Sequence, residues 1–249
     1  MYPIVRLKKD ILDYNVTLRA LHVILETISS MEASEEEIVN ILSKGETDLV
    51  VDALGFLQHL EIVTVKNGIA TINLNTKYER TILRPIILRA LRNKTYIGKF
   101  LEKYFDKKYL TREDFTKILR EAKEAAYYEN LEQKTNFLIR HLRELGLAYR
   151  VKGEKSRKEI IIPTVDPSLI IEIAKFENIK NISFTDFLNR IEKYIPCRRE
   201  LRGLITPFKR ALHVLNLYGI VELKTLSDAG IPYDIAENIK ANYLVFKHE

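Results

Sequence analysis

A chain of 249 residues, 46% hydrophobic and 30% charged, can bury a core in one large unit or in two to three small ones. Nine glycines and seven prolines exclude a collagen-like or disordered chain, and the longest apolar runs, about six residues, fall short of the ~20 that span a bilayer. The net charge of +6 is uneven: residues 1–80 are acidic (8 Lys and Arg, 12 Asp and Glu), residues 81–165 basic (20 against 11) and residues 166–249 near balance (12 against 11).

Cys197 is the single cysteine, which excludes an internal disulfide and a cysteine-based zinc cluster. The N-terminus lacks a basic-then-apolar signal layout, so a reducing cytoplasm and no membrane are the expectation. Isoleucine nearly as frequent as leucine, and glutamine only at Gln58 and Gln133, resemble the bias of heat-adapted proteins.

In chain order, the pattern predicts a first helix over about 17–29, with Leu18, Leu21, Leu25 and Ile28 on one stripe. A capping box follows at Ser34–Glu37 and opens a second helix; its hydroxyl caps an orphan N–H while the acid reaches back. A third helix over about 47–61 ends in Leu57-Gln58-His59-Leu60-Glu61-Ile62-Val63, and Asn67-Gly68 marks a hairpin.

The same order then returns twice. A long helix over about 85–105 precedes the box Thr111–Asp114, and a helix over about 130–145 ends at Gly146, followed by strands over 147–151 and 159–163. A helix over about 168–176 precedes the box Ser183–Asp186. The last copy ends in Leu215-Asn216-Leu217-Tyr218-Gly219-Ile220-Val221, and a strand over 220–224 leads out. A helix over about 232–241, with Pro232 at its first position, delays the returning strand to 243–246. The three caps lie 77 and 72 residues apart.

Helix, capped helix, helix, then two strands resembles a winged helix-turn-helix, and three in a row resemble tandem winged-helix proteins. The resemblance covers about 200 of the 249 residues as pattern, not as sequence identity. It implies a mainly α fold with small β-hairpins: an acidic unit over 1–80 for protein interaction or dimerisation, a basic DNA-binding unit over 81–165, and a C-terminal unit over 166–249. Winged helices serve DNA binding and protein interaction alike, so the surface of each copy decides.

In such a unit the third helix enters the major groove. In the first copy it would present Glu46, Asp48, Asp52 and Gln58, a face that phosphate repels. In the middle copy it offers Gln133, Lys134, Asn136, Arg140 and Arg143, side chains that pair with adenine or guanine edges. The hairpin tip adds Lys152, Lys155, Arg157 and Lys158 for phosphate or minor-groove contact. The competing account is a solvated helix with Arg140 and Arg143 paired to Glu132 or Glu144. In the third copy Arg198, Arg199, Arg202, Lys209 and Arg210 form a second cationic cluster, placed with the last helix.

Phosphate-cradling glycine motifs are absent. Of the five histidines, His22, His59, His141 and His213 lie among apolar helix residues and read as core or boundary positions rather than metal ligands. Glu222-Leu223-Lys224 has a nuclease-like spacing but lacks a suitable upstream acid. Arg198 and Arg199 beside Cys197 would lower its thiol pKa, yet no base accompanies it. The expectation is a non-enzymatic protein without cofactor or metal that binds double-stranded DNA and meets itself or a protein partner through residues 1–80. The alternative is a scaffold subunit of a larger assembly.

Overall fold

The computed structural model describes residues 8, 10–31, 34, 36–38, 40, 47–74, 76–124, 131–152, 159–198 and 203–247, with the side chains of residues 47 and 152 excepted. The fold is mixed α/β: helix predominates, and the strands form small antiparallel sheets. The same local order occurs three times. The first runs through α1 (Leu18–Ser30), helical residues 36–38 and 40, α2 (Thr47–His59), β1 (Val63–Lys66) and β2 (Ile69–Ile72). The second has α3 (Leu83–Lys94), α4 (Ile97–Phe105), β3 (Leu110–Thr111), α5 (Arg112–Lys123), α6 (Leu131–Glu144), β4 (Ala148–Lys152) and β5 (Glu159–Pro163). The third has α7 (Pro167–Phe176), β6 (Asn181–Ser183), α8 (Phe184–Ile191), α9 (Thr206–Leu217), β7 (Val221–Lys224), β8 (Tyr233–Ala236), β9 (Ile239–Ala241) and β10 (Tyr243–Phe246).

All three predicted boxes form their hydroxyl cap, and the first two form both arms. The amides of Glu37, Asp114 and Asp186 each donate 3.2 Å to the hydroxyl of Ser34, Thr111 and Ser183. In the first two the acid also accepts from the cap's own amide. The third helices close alike. Ile62, Leu147 and Ile220 donate to the carbonyls of Leu57, Leu142 and Leu215, across a left-handed residue. That residue is Gly146 or Gly219 in two copies and Glu61 in the first, at φ 56°.

The sheets repeat too. The orders β3–β5–β4 and β6–β10–β7 both pair the short strand before the cap with the returning strand. In the first copy Ser34 bridges Ile69 in that role. Asn67 and Gly68, both at positive φ, make the two-residue turn of β1–β2.

Two predicted elements come out differently. The helix expected over 85–105 breaks at Thr95, which is extended at φ −135° and ψ 167°. The Thr95 hydroxyl donates to the Leu91 carbonyl at 2.6 Å and accepts from the Ile97 amide at 3.1 Å, so it ends α3 and caps α4. The turn packs so tightly that a Cβ on Gly98 would lie 2.5 Å from the Arg92 carbonyl oxygen. The helix expected over 232–241 is the β8–β9 hairpin, turned at Asn238 with φ 63°. Its pattern has period two: Ile235 and Ala241 are buried while Asp234 and Lys240 face out and pair at 3.4 Å.

The buried residues form one cluster running from Ile11 to Phe246. The middle and third copies are joined by Arg84 on α3. Its guanidinium donates to Glu172 at 2.8 and 2.6 Å, to Asp166 at 2.9 Å and to Ser168 at 2.8 Å. The first and middle copies are joined by residue 8 and residues 10–17, the strap, which includes a 3-10 turn, Ile11–Asp13.

Candidate nucleic-acid interface

Helix α6 carries the strongest sequence candidates, and its two flanks have different fates. One stripe runs through Gln133, Asn136, Arg140 and Arg143 at helical spacing. Gln133, Asn136 and Arg143 are exposed, and Arg143 has no hydrogen-bond or ion-pair partner among the described residues. Glu132 pairs with Arg112, and Glu144 accepts from the Leu18 amide, so neither acid neutralises Arg143.

The neighbouring stripe, Lys134, His141 and Glu144, lies against the strap. Lys134 donates 2.8 Å to Asp10 and lies 3.3 Å from Asp13, with its side chain only 15% exposed. Arg140 sits on the border. It donates 3.0 Å to the Asn15 side chain and 3.0 Å to the Val16 carbonyl, and its guanidinium covers the Phe137 ring at 5.2 Å. His141 is buried, bonds the Val16 carbonyl at 3.2 Å, and meets Phe56 of α2 edge-on. Burial, reinforced by the Arg140 charge, lowers its pKa from 6.5 to about 4.

Asp10 is the centre of the joint. Lys123 lies 2.5 Å away, and Lys134, the Tyr96 hydroxyl and the Leu12 amide donate at 2.8, 2.8 and 2.9 Å. Desolvation alone would raise its pKa, but these donors outweigh it and hold the carboxyl well below the usual range. Ile11, Leu12, Tyr14 and Val16 of the strap are each at most 2% exposed. At ~1.5–3 kcal/mol per buried side chain, lifting them out would cost roughly 6–12 kcal/mol. Surface contacts to phosphate do not offset that, so Lys134 and the strap-facing part of Arg140 are committed inside the molecule.

Most of the other sequence candidates fall outside the described residues. The side chain of Lys152, and all of Lys155, Arg157, Lys158, Arg199 and Arg202, lie outside the described residues. Glu46 also lies outside them. Arg198 is not on a helix: it forms a bridge with Leu204, and its guanidinium donates to the Thr185 carbonyl at 3.1 Å and to Asn189 at 2.6 Å. The last helix starts only at Thr206, with Pro207 in its first turn. On it Arg210 is exposed and Lys209 half-buried. In the first copy Asp48 is exposed, while Asp52 accepts from the Asn15 amide at 2.9 Å and pairs with Lys8 at 2.6 Å. Residues 51–60 of that copy's third helix contain no exposed position.

Two groups weighed for chemistry are held in other contacts. Cys197 is buried, and desolvation, aided by Glu192, raises its thiol pKa; the opposing effect of Arg198 is smaller. Glu222 and Lys224 pair with each other at 3.4 Å. Among the described residues no cluster of three metal-ligating side chains occurs, and no helix is long and apolar enough to cross a membrane.

The strap is the structural feature that the sequence did not disclose. Its signal in the sequence is the run Asp10-Ile11-Leu12-Asp13-Tyr14-Asn15-Val16, two acids among four apolar residues. Comparison with protein-family models, curated proteins and solved structures finds no match to the chain.

Proposed function

We propose that the chain is a non-enzymatic DNA-binding protein of three tandem winged-helix units, with the middle unit gripping duplex DNA. The recurring order of elements and the sheet orders β3–β5–β4 and β6–β10–β7 support the winged-helix reading. The observation that carries DNA contact is the shared exposed stripe of Gln133, Asn136 and Arg143 on α6. It directly precedes a hairpin whose connecting sequence holds Lys152, Lys155, Arg157 and Lys158 against one acid, Glu154. Amide side chains suit adenine edges and an arginine suits guanine or phosphate, while the hairpin cations suit the backbone. Lys134 leaves this contact set and Arg140 stays at its edge, because both hold the strap. Arg210 on α9, with Lys209 beside it, supplies a second contact.

The test is a duplex titration across salt concentrations. Each lost phosphate contact flattens the slope of log K against log salt by about one. Arg157→Ala with Lys158→Ala is expected to flatten it by about one to two. No measurable affinity for any duplex at about 50 mM salt would overturn the proposal.

One observation favours a second reading, a scaffold subunit in a larger assembly. The third helix of the first copy has no exposed residue from 51 to 59, and Lys134 and His141 on one flank of α6 lie against the strap. One of three potential recognition helices thus has most of its surface in internal packing, and a second has one flank there. A stoichiometric partner recovered with the native protein, together with absent duplex affinity, favours that reading.

A further inference from the structure

We propose, on the reading that the middle unit grips duplex DNA, that α6 prefers neighbouring A·T pairs in the major groove. The strap sets this preference by removing Arg140 from base reading. Arginine reads guanine with a fork, two parallel N–H groups aimed at O6 and N7. Both fork edges of a guanidinium use Nη2, end-on with Nη1 or side-on with Nε. In Arg140, Nη2 donates at 3.0 Å to the Asn15 side chain and at 3.0 Å to the Val16 carbonyl, which engages both of its hydrogens. Nε is buried without a partner, and the guanidinium carbon lies 5.2 Å from the Phe137 ring centre. Neither edge is open to a base, so Asn15 of the strap is a specificity-determining residue.

The other two cations of α6 are also set aside from the bases. Lys134 is held at 2.8 Å by Asp10. Arg143 is the penultimate residue of the helix, roughly 10 Å beyond Asn136 along its axis. A helix in the major groove meets base edges with its N-terminal residues, so Arg143 is placed for phosphate.

The N-terminal turns keep three exposed polar residues, Glu132, Gln133 and Asn136. Glu132 has the chemistry to accept from cytosine, but it pairs with Arg112 at 3.3 Å. Gln133 and Asn136 have no hydrogen-bond partner among the described residues. They lie about 60° apart around the axis and about 4.5 Å apart along it, near the ~3.4 Å spacing of base pairs. Each amide matches the adenine pair of N6 donor and N7 acceptor, so the two suit adenines of neighbouring pairs. The hairpin cations offer a rival source of A·T preference, a narrow minor groove. An inosine–cytosine pair separates the two: it has the major-groove face of G·C and, without the guanine amino group, the minor-groove face of A·T.

The test uses the full-length protein on a labelled mixed-sequence duplex at about 50 mM salt. Alternating dA-dT, dG-dC and dI-dC duplexes compete for it. The dA-dT duplex is expected to compete about tenfold better than dG-dC, with dI-dC matching dG-dC. Gln133→Ala with Asn136→Ala should bring all three within about twofold of one another. Arg140→Ala should leave the dA-dT to dG-dC ratio within about twofold, and Arg143→Ala should weaken all three alike. Arg140→Lys keeps the charge without a fork and covers the case in which alanine loosens the strap. Equal competition by the three duplexes overturns the preference and leaves duplex gripping intact. So does dI-dC matching dA-dT, a preference that survives loss of both amides, or a selective loss of dG-dC affinity in either Arg140 variant. No affinity for any duplex overturns both proposals.

Discussion

Helices α2 and α6 hold the same place in their repeats and close with the same hydrogen bonds, yet they meet opposite surroundings. Helix α2 has no exposed residue between positions 51 and 59, and its acid Asp52 turns back to the strap. Helix α6 keeps one stripe in water and gives the other to the strap. The strap is thus a shared partner of both, and it binds them unequally. Toward the middle copy it offers a buried carboxylate that meets Lys123 of α5 and Lys134 of α6, toward α2 a partly exposed pair. Position in a repeat therefore does not determine what a helix contacts. The charge and apolar content of a short neighbouring segment do.

The largest effect should come from removing the strap's anchor on the α6 side. Asp10→Ala leaves Lys123 and Lys134, 16% and 15% exposed, without their shared carboxylate. Stripping one partner from such a buried group costs about 3–5 kcal/mol, to be read by denaturant unfolding. A loss below about 1 kcal/mol would mean that the strap is held by its apolar residues alone.

Next in size is a pH effect at His141. Unfolded, its imidazole takes a proton near pH 6.5, whereas the native site resists until about 4. The unfolded state therefore binds more protons in that window, and stability falls as pH drops through it, by about 3 kcal/mol, with nothing lost above it. His141→Gln should remove about one proton's worth of slope between pH 6.5 and 4. Asp10 adds its own acid loss only below the ordinary carboxylate range, near 3.9.

On the α2 side, Asp52→Ala should cost only about 1–2 kcal/mol, because Lys8 is 39% exposed and water screens the pair. If it costs as much as Asp10→Ala, the strap grips both helices equally. The smallest stability change belongs to the uncovered stripe. Arg143→Ala should leave unfolding within about 0.5 kcal/mol. The same variant should flatten the salt dependence of duplex binding by about one unit. A large stability loss there would show that the stripe is structural.

Much of the local structure was legible because its causes are local. Ser34, Thr111 and Ser183 meet acids three residues on, and Asn67-Gly68 turns a hairpin in place. The break at Thr95 was not legible, because the apolar stripe continues past it and the deciding contact is Gly98 against the Arg92 carbonyl. The β8–β9 hairpin was misread because Pro232 suits a helix start as well as a strand entry, while the period-two burial of Ile235 and Ala241 shows only against α9 and its neighbours. Of the α6 candidates, Gln133, Asn136 and Arg143 emerged as expected on an exposed face. Lys134 did not, since nothing near it in the chain announces Asp10.

Sequence alone settled the three capped helix starts, the Asn67-Gly68 turn and which stretch of the chain is basic, because capping, turns and charge totals involve neighbours a few residues apart. Which cations face solvent was decided by the folded arrangement. Asp10 reaches Lys134 across 124 positions of chain, and Coulomb attraction in a buried joint depends on distance in space, not along the sequence.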